Sequence, residues 1–393
     1  MGNGRLLRIP ARAALLAALA ALLGACAGGP QPVPVADILL DARFASPPPA
    51  AADDDPLAAS PDMRRFLRED IARQLREEGR TRGLVNALQR RGQLHLEYDA
   101  TMTRNAAQAF AARKGNCLAL ALMTASLARE LGLDVTFQLL ATEEQWSRVR
   151  DIALLSNHVN VTIGLPARDT RPGFDAYHTL VVDFLPPELL FRQRARTLEA
   201  DDIVAMYWNN RAAELLVQGD LDAAYWSARR AVTTASTSSA PYNTLGLVYL
   251  HHGDLDAASR ALERALHFDP DNTLALSNLA VVLRRTGKAD AAQRIEQRLA
   301  SLEPYPPYHF FELGRAAYDR ADYVQARALF EREVRRAGYS SEFHFWLGLA
   351  NLRLGNTRAA REEFESAQAL STSPAQHDLY AAKLARLGAT ASQ

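Results

Sequence analysis

A spacing of 34 residues runs through the second half of this chain and limits what it can fold into. Ala224, Ala258, Ala292, Ala326 and Ala360 follow one another at that step. Ala212, Gly246, Ala280, Gly314 and Gly348 keep it too, and so do Gly219, Gly253, Gly287, Ala321 and Gly355. A further set reads Ala231, Ala265, Leu299, Glu333 and Ala367. Small residues at fixed places let two helices approach closely, and a glycine between them supplies a permissive turn. Each such unit leaves an apolar face that only its neighbour can cover, so the units stack in one dimension. The spacing predicts an all-α stack of five helix pairs from about Ala205 to about Leu370, with the Ser373 to Leu387 segment as a cap. The fourth unit departs from the pattern, with Ala321 at the turn and Glu333 at a packing position.

Pro270 and Pro304 fall at unit ends. The pattern resembles the tetratricopeptide repeat, a helix–turn–helix of this length. That resemblance implies a surface that binds a protein or peptide partner rather than one that does chemistry. Tyr207, Trp208, Tyr225, Trp226, Phe310, Phe311 and Trp346 are candidates to line the surface. Packing between helices is the other place for them, and for most of them the preferred one.

The N-terminus reads as an address. Arg5, Arg8 and Arg12 precede an Ala/Leu run from Ala13 to Ala25, too short to span a bilayer comfortably. Gly24 and Ala25 lead into Cys26, which resembles the lipobox of bacterial lipoproteins. The resemblance implies cleavage before Cys26, a lipid on its thiol and stable anchoring without a transmembrane helix. An ordinary secretory signal cut near Ala25 or Ala27 is the alternative. Ala27 after the cysteine implies the outer membrane, with the protein facing the periplasm. Residues Gly28 to Asp55 are rich in Pro, Ala and Asp and read as a tether. Within it, Ile38-Leu39-Leu40 with Phe44 is apolar enough to dock on the folded body. The expected divisions are a signal peptide (1–25), the tether (26–59), a central domain (60–195) and the repeat array (203–390).

Lys plus Arg and Asp plus Glu both number 45, so formal charge is zero. No basic patch with interleaved aromatics suggests nucleic acid. No Cys/His spacing matches a zinc site, no glycine-rich loop suits a phosphate, and no cofactor is implied. The two cysteines rule out a disulfide framework.

The central segment reads as α+β. Ser60-Pro61 starts a helix with Met63, Phe66, Leu67, Ile71 and Leu75 at helical spacing. Helices follow around Gly83 to Arg90 and Ala106 to Arg113, with a short extended piece at Leu94 to Tyr98. Cys117 to Leu131 is a strong helix former, apolar around most of its circumference, and so a buried central helix. Cys117 stands at its N-terminus, where the helix dipole and free amides favour a thiolate and can donate to an oxyanion. Strands are predicted at Val135 to Leu140, Asn157 to Ile163 and Tyr177 to Leu185. In the second, Val159, Val161 and Ile163 alternate with His158, Asn160 and Thr162.

Gly115-Asn116-Cys117 opening a buried helix, then Asn157-His158-Val159 on a strand, then Asp183 on the next, resembles the transglutaminase-like cysteine-protease superfamily. The whole chain is then an α+β transglutaminase-like domain followed by an all-α tetratricopeptide-repeat solenoid. The resemblance implies Cys117 as nucleophile, His158 as base and Asp183 as orienting carboxylate. A thiolate attacks a carbonyl carbon, an imidazole protonates the leaving amine, and a carboxylate holds the imidazole. Water then gives hydrolysis and an amine gives transamidation, and both stay open. Other roles stand beside these: Cys117 as a buried small hydrophobe, His158 as a structural strand histidine with His178 as rival base, and Asp175 in place of Asp183. Asn116, Gln138 and Trp146 are placed to shape the site. Two readings of the whole follow: an envelope-anchored thiol acyl-transfer enzyme whose repeats recruit a protein or peptide, or a catalytically inactive adaptor that gathers envelope proteins.

Overall fold

The structure is a computed structural model that describes residues 35–47, 55–89, 94, 96–149, 152–165, 179–184, 195–371 and 374–391. Cys26, Asp175 and His178 lie outside the described residues, as does the side chain of Trp146. A short helix, Val35–Ile38, precedes the main body, which begins at Leu40. Among the described residues no helix is long and apolar enough to cross a membrane.

The first helical run of the body is not continuous. Ser60 caps α1 (Pro61–Arg65) by accepting the Met63 N–H, with proline at the first helical position. One wider turn, Phe66–Asp70, then carries the chain to α2 (Ala72–Glu78). The widening leaves Met63, Phe66, Leu67 and Ile71 all buried. α3 (Arg80–Gln89) and α4 (Ala106–Ala112) follow. Of the extended piece expected at Leu94 to Tyr98, β1 (Glu97–Tyr98) is strand among the described residues. It pairs in parallel with β2 (Lys114–Gly115), bringing Tyr98 opposite Gly115.

α5 (Cys117–Glu130) is the central helix, with every residue from Leu118 to Ala128 buried. It packs against an antiparallel sheet that has, among the described residues, four strands in the order β5-β4-β3-β6. β3 spans Asp134–Val149, β4 Ile152–Gly164, β5 Leu180–Val182 and β6 Ala195–Leu198. β3 and β4 run well beyond the expected strands, and β6 on the far edge of β3 was not anticipated. Both alternations of β4 are covered: Val159, Val161 and Ile163 are buried, and so are His158 and Asn160. β5 ends at Val182, so Asp183 stands just past the strand rather than within it.

The array has five helix pairs and a cap: α6 (Ala200–Gln218) with α7 (Leu221–Thr234), α8 (Ser239–His252) with α9 (Leu255–Phe268), α10 (Thr273–Arg285) with α11 (Ala289–Leu302), α12 (His309–Asp319) with α13 (Tyr323–Arg336), α14 (Ser341–Arg353) with α15 (Thr357–Ala369), then α16 (Pro374–Ala391). The small residues at the close approach are needed there. A Cβ on Gly314 would lie 2.6 Å from the Phe330 ring, and one on Gly348 the same distance from Phe364.

The irregular fourth pair has a physical account. Glu333 is fully buried, and its Oε2 accepts the main-chain N–H groups of Phe310 (2.8 Å) and Phe311 (3.0 Å). The residue before α12, Tyr308, makes no side-chain cap. The carboxylate at the packing position thus satisfies amides that the helix start leaves open, and Arg336 partners its other oxygen at 3.2 Å.

Candidate functional site

Asn116 sets the start of α5. Its Oδ1 accepts the Ala119 N–H at 2.9 Å, fixing the first turn and with it Cys117. Gly115 is required just before, since a Cβ there would sit 2.8 Å from the Ala119 Cβ. Cys117 forms no disulfide among the described residues and is half-buried.

His158 comes from β4. Its Nε2 lies 2.8 Å and 2.9 Å from the two Asp183 carboxylate oxygens. Antiparallel pairing of Val161 with Val182 sets this up, because Asp183 then falls opposite Asn160, two residues from His158 on the same alternation. The ring also hydrogen bonds with the Cys117 side chain, and Nδ1 is the nitrogen left for it. Burial by itself lowers the pKa of His158. The Asp183 hydrogen bond, with the hydrogen bond and charge of Cys117, outweighs burial and pushes it up to about 9. Cys117, His158 and Asp183, separated by up to 66 residues of sequence, therefore meet in one chain of contacts. Asn160 Oδ1, buried on the same alternation, has no hydrogen-bond partner among the described residues.

Sequence reading did not single out Tyr98. Although it is 42% exposed overall, its hydroxyl lies inward against Cys117 and receives that residue's main-chain N–H. Burial, then the Cys117 charge, hold the phenol above its usual range. The available signal was position: Tyr98 ends the extended piece that pairs with Gly115, two residues before Cys117. Gln138 sits on β3, paired with Asn160 and Thr197.

A polar seam ties this region to the first repeat helix. Asn116 Nδ2 donates to Thr103 Oγ1 at 2.8 Å, and the Thr103 N–H donates to Glu214 Oε1 on α6 at 2.6 Å. Arg211 pairs with the same carboxylate. Burial holds the Glu214 carboxyl above the usual range despite these partners.

Of the aromatic residues considered for the array surface, Tyr207, Trp208, Tyr225, Phe310 and Phe311 are buried, the first two in the core they share with α5 and the sheet. Trp226 and Trp346 are half-buried, and Trp346 carries the Arg315 guanidinium over its ring at 3.8 Å.

Comparison with known proteins bears on the array. The tetratricopeptide repeat family matches residues 249–309 and again residues 311–374. Among solved structures, the chain is similar to Pseudomonas aeruginosa PilF at 18% identity, covering 48% of this chain and 86% of that one, with a TM-score of 0.28. It is similar to MamA of Desulfovibrio magneticus RS-1 at 18% identity, covering 42% and 94%, with a TM-score of 0.25. It is also similar to YrrB, described as a repeat protein with an unusual peptide-binding site, at 20% identity, covering 46% and 92%, with a TM-score of 0.25. No curated protein matches the chain. With the period, the helix pairs and the family match in agreement, the C-terminal half of this chain is an array of tetratricopeptide repeats.

Proposed function

We propose that the chain is an adaptor that gathers protein or peptide partners on its repeat array. The observation that carries this reading is where apolar surface is left uncovered. Seven of the nine exposed large apolar side chains among the described residues belong to the array, including Val281, Leu313, Val324 and Leu352. Where such side chains are contiguous they mark an interaction site. Replacing Leu313 and Val324 by Asp should abolish retention of the partner by the immobilised full chain. Undiminished retention by that variant, with cross-links confined to the central domain, would refute the adaptor reading. The N-terminal address supports a lipid anchor at Cys26 on the outer membrane, facing the periplasm. Labelling with radioactive palmitate should disappear in Cys26→Ser.

A second reading is favoured by one observation, the Cys117–His158–Asp183 chain of contacts. In it the central domain is a transglutaminase-like thiol acyl-transfer enzyme acting on an amide that the array delivers. Cys117 attacks the carbonyl carbon, its own main-chain N–H stabilises the oxyanion, and His158 protonates the leaving amine. Tyr98 then has to yield that N–H to the substrate. Cys117 should react with iodoacetamide at pH 6.5 at least tenfold faster than glutathione, and His158→Ala should remove most of that advantage. A thiol no faster than glutathione ends the acyl-transfer reading and leaves the adaptor alone.

A further inference from the structure

The stretch from Leu40 to Ser46 is the part of the tether that meets the first repeat, 177 to 188 residues away in sequence. A single turn, Asp41–Arg43, puts Asp41 and Phe44 on one side. The Phe44 ring lies flat on Tyr225, centroids 3.9 Å apart and planes 2° from parallel. His252 at 4.6 Å and Tyr249 at 6.1 Å close the slot, and Phe44 is left 8% exposed. Asp41 Oδ1 accepts from the Tyr225 hydroxyl (2.5 Å) and from Arg229 Nε (2.8 Å). The main chain is gripped in both directions. The Ala45 N–H donates to Asp222 Oδ1 at 2.9 Å, and Trp226 Nε1 donates to the Ala45 carbonyl at 2.6 Å.

These are the parts of a peptide-recognition site: an aromatic slot, a cation for a carboxylate, and a donor and an acceptor for one residue's backbone. α7 contacts both the main chain of Ala45 and two side chains three apart, Asp41 and Phe44. The sequence that follows, Ser46-Pro47-Pro48-Pro49 with Ala and Asp up to Asp55, has no large apolar residue with which to form a core of its own.

We propose that the cleft between α7 and α8 is a binding site for peptides carrying an acidic residue three positions before an aromatic one, and that Asp41 to Ala45 is its resident ligand. The proposal rests on the adaptor reading and names the partner's chemistry: a protein segment of the form Asp-x-x-Phe. Such a segment must displace the resident one, which is present at an effective concentration of order millimolar for a short tether. Occupancy of the first repeat is thereby coupled to release of the tether.

The test uses the full chain and a fluorescent, end-blocked peptide of residues Leu40 to Ser46. The variant Asp41→Ala/Phe44→Ala empties the cleft, and Asp41→Ala alone serves if the double variant does not fold by circular dichroism. The emptied chain should bind the peptide at least tenfold more tightly than the wild type. Adding Arg229→Ala should reverse that gain, and a peptide with Asp41 and Phe44 replaced by Ala should not bind. A folded, emptied chain that ignores the peptide at about 1 mM overturns the proposal, as does equal binding to emptied and wild-type chains. So does dimerisation in which the segment merely exchanges between copies while free peptide is ignored. If the peptide fails but protein partners are still retained through Leu313 and Val324, the cleft proposal falls and the adaptor reading stands. Peptide binding without any dependence of partner retention on the array surface has the opposite meaning.

Discussion

His158 shows how one residue reports its surroundings. Burial opposes its charge, while Asp183 and Cys117 favour it, and the partners win. Its pKa is raised in the folded state, so folding takes up the proton that an unfolded histidine releases near pH 6.5. The resulting stability is complete below about pH 6.5 and is lost as pH rises through about 9. Relative to His158→Gln, the wild type should lose on the order of 3 kcal/mol across that window, read from urea midpoints between pH 6 and 10. Parallel curves for the two proteins would mean that the ring is not held as the geometry has it. His158, Cys117 and Asp183 were all legible as residue types in particular elements. Tyr98 was not, because nothing local distinguishes a tyrosine whose hydroxyl turns inward from one on a solvated edge.

At the scale of elements, the array follows its period closely, and the informative places are where it departs. Four of the five mid-repeat turns use a glycine with φ between 75° and 95°: Gly219, Gly253, Gly287 and Gly355. Ala321 holds the equivalent place at φ 62°, a left-handed conformation that its Cβ resists. Ala321→Gly should therefore stabilise the protein. The relieved strain exceeds the added unfolded-state entropy of glycine by about 0.5–1 kcal/mol. A thermal melt reads this directly, and a lower melting temperature would refute it. Glu333, the other departure of that repeat, stands at a packing position in sequence. It proves to be a cap supplied by α13 to α12, which no single-position rule could anticipate.

At the scale of the molecule, the central domain and the first repeat share one core. Ile203, Tyr207, Trp208 and Ala231 of the repeats pack in the same cluster as α5 and the sheet. The seam from Asn116 through Thr103 to Glu214 adds a polar link between the start of α5 and α6. Glu214→Ala leaves the buried Thr103 N–H without its acceptor, at a cost of about 1–3 kcal/mol. Hydrogen exchange should show protection falling together at Ala119, the amide that Asn116 caps, and along α6. Unchanged protection at Ala119 would show that the seam carries no coupling.

The sequence alone determined the features that repeat at short range. A step of 34 residues specifies a helix pair and its stacking, and an apolar run after Gly115-Asn116 specifies a buried helix. Alternation along Val159, Val161 and Ile163 specifies a strand. Each follows from contacts within a turn, a strand or a neighbouring repeat, where spacing along the chain maps directly onto space. The tertiary structure alone decided the approach of Asp183 to His158, the inward turn of Tyr98, the capping by Glu333 and the seating of Phe44 on Tyr225. These join residues from about 20 to more than 180 positions apart. Such contacts follow from strand register and helix docking set by the whole core, which has no periodic trace in the chain.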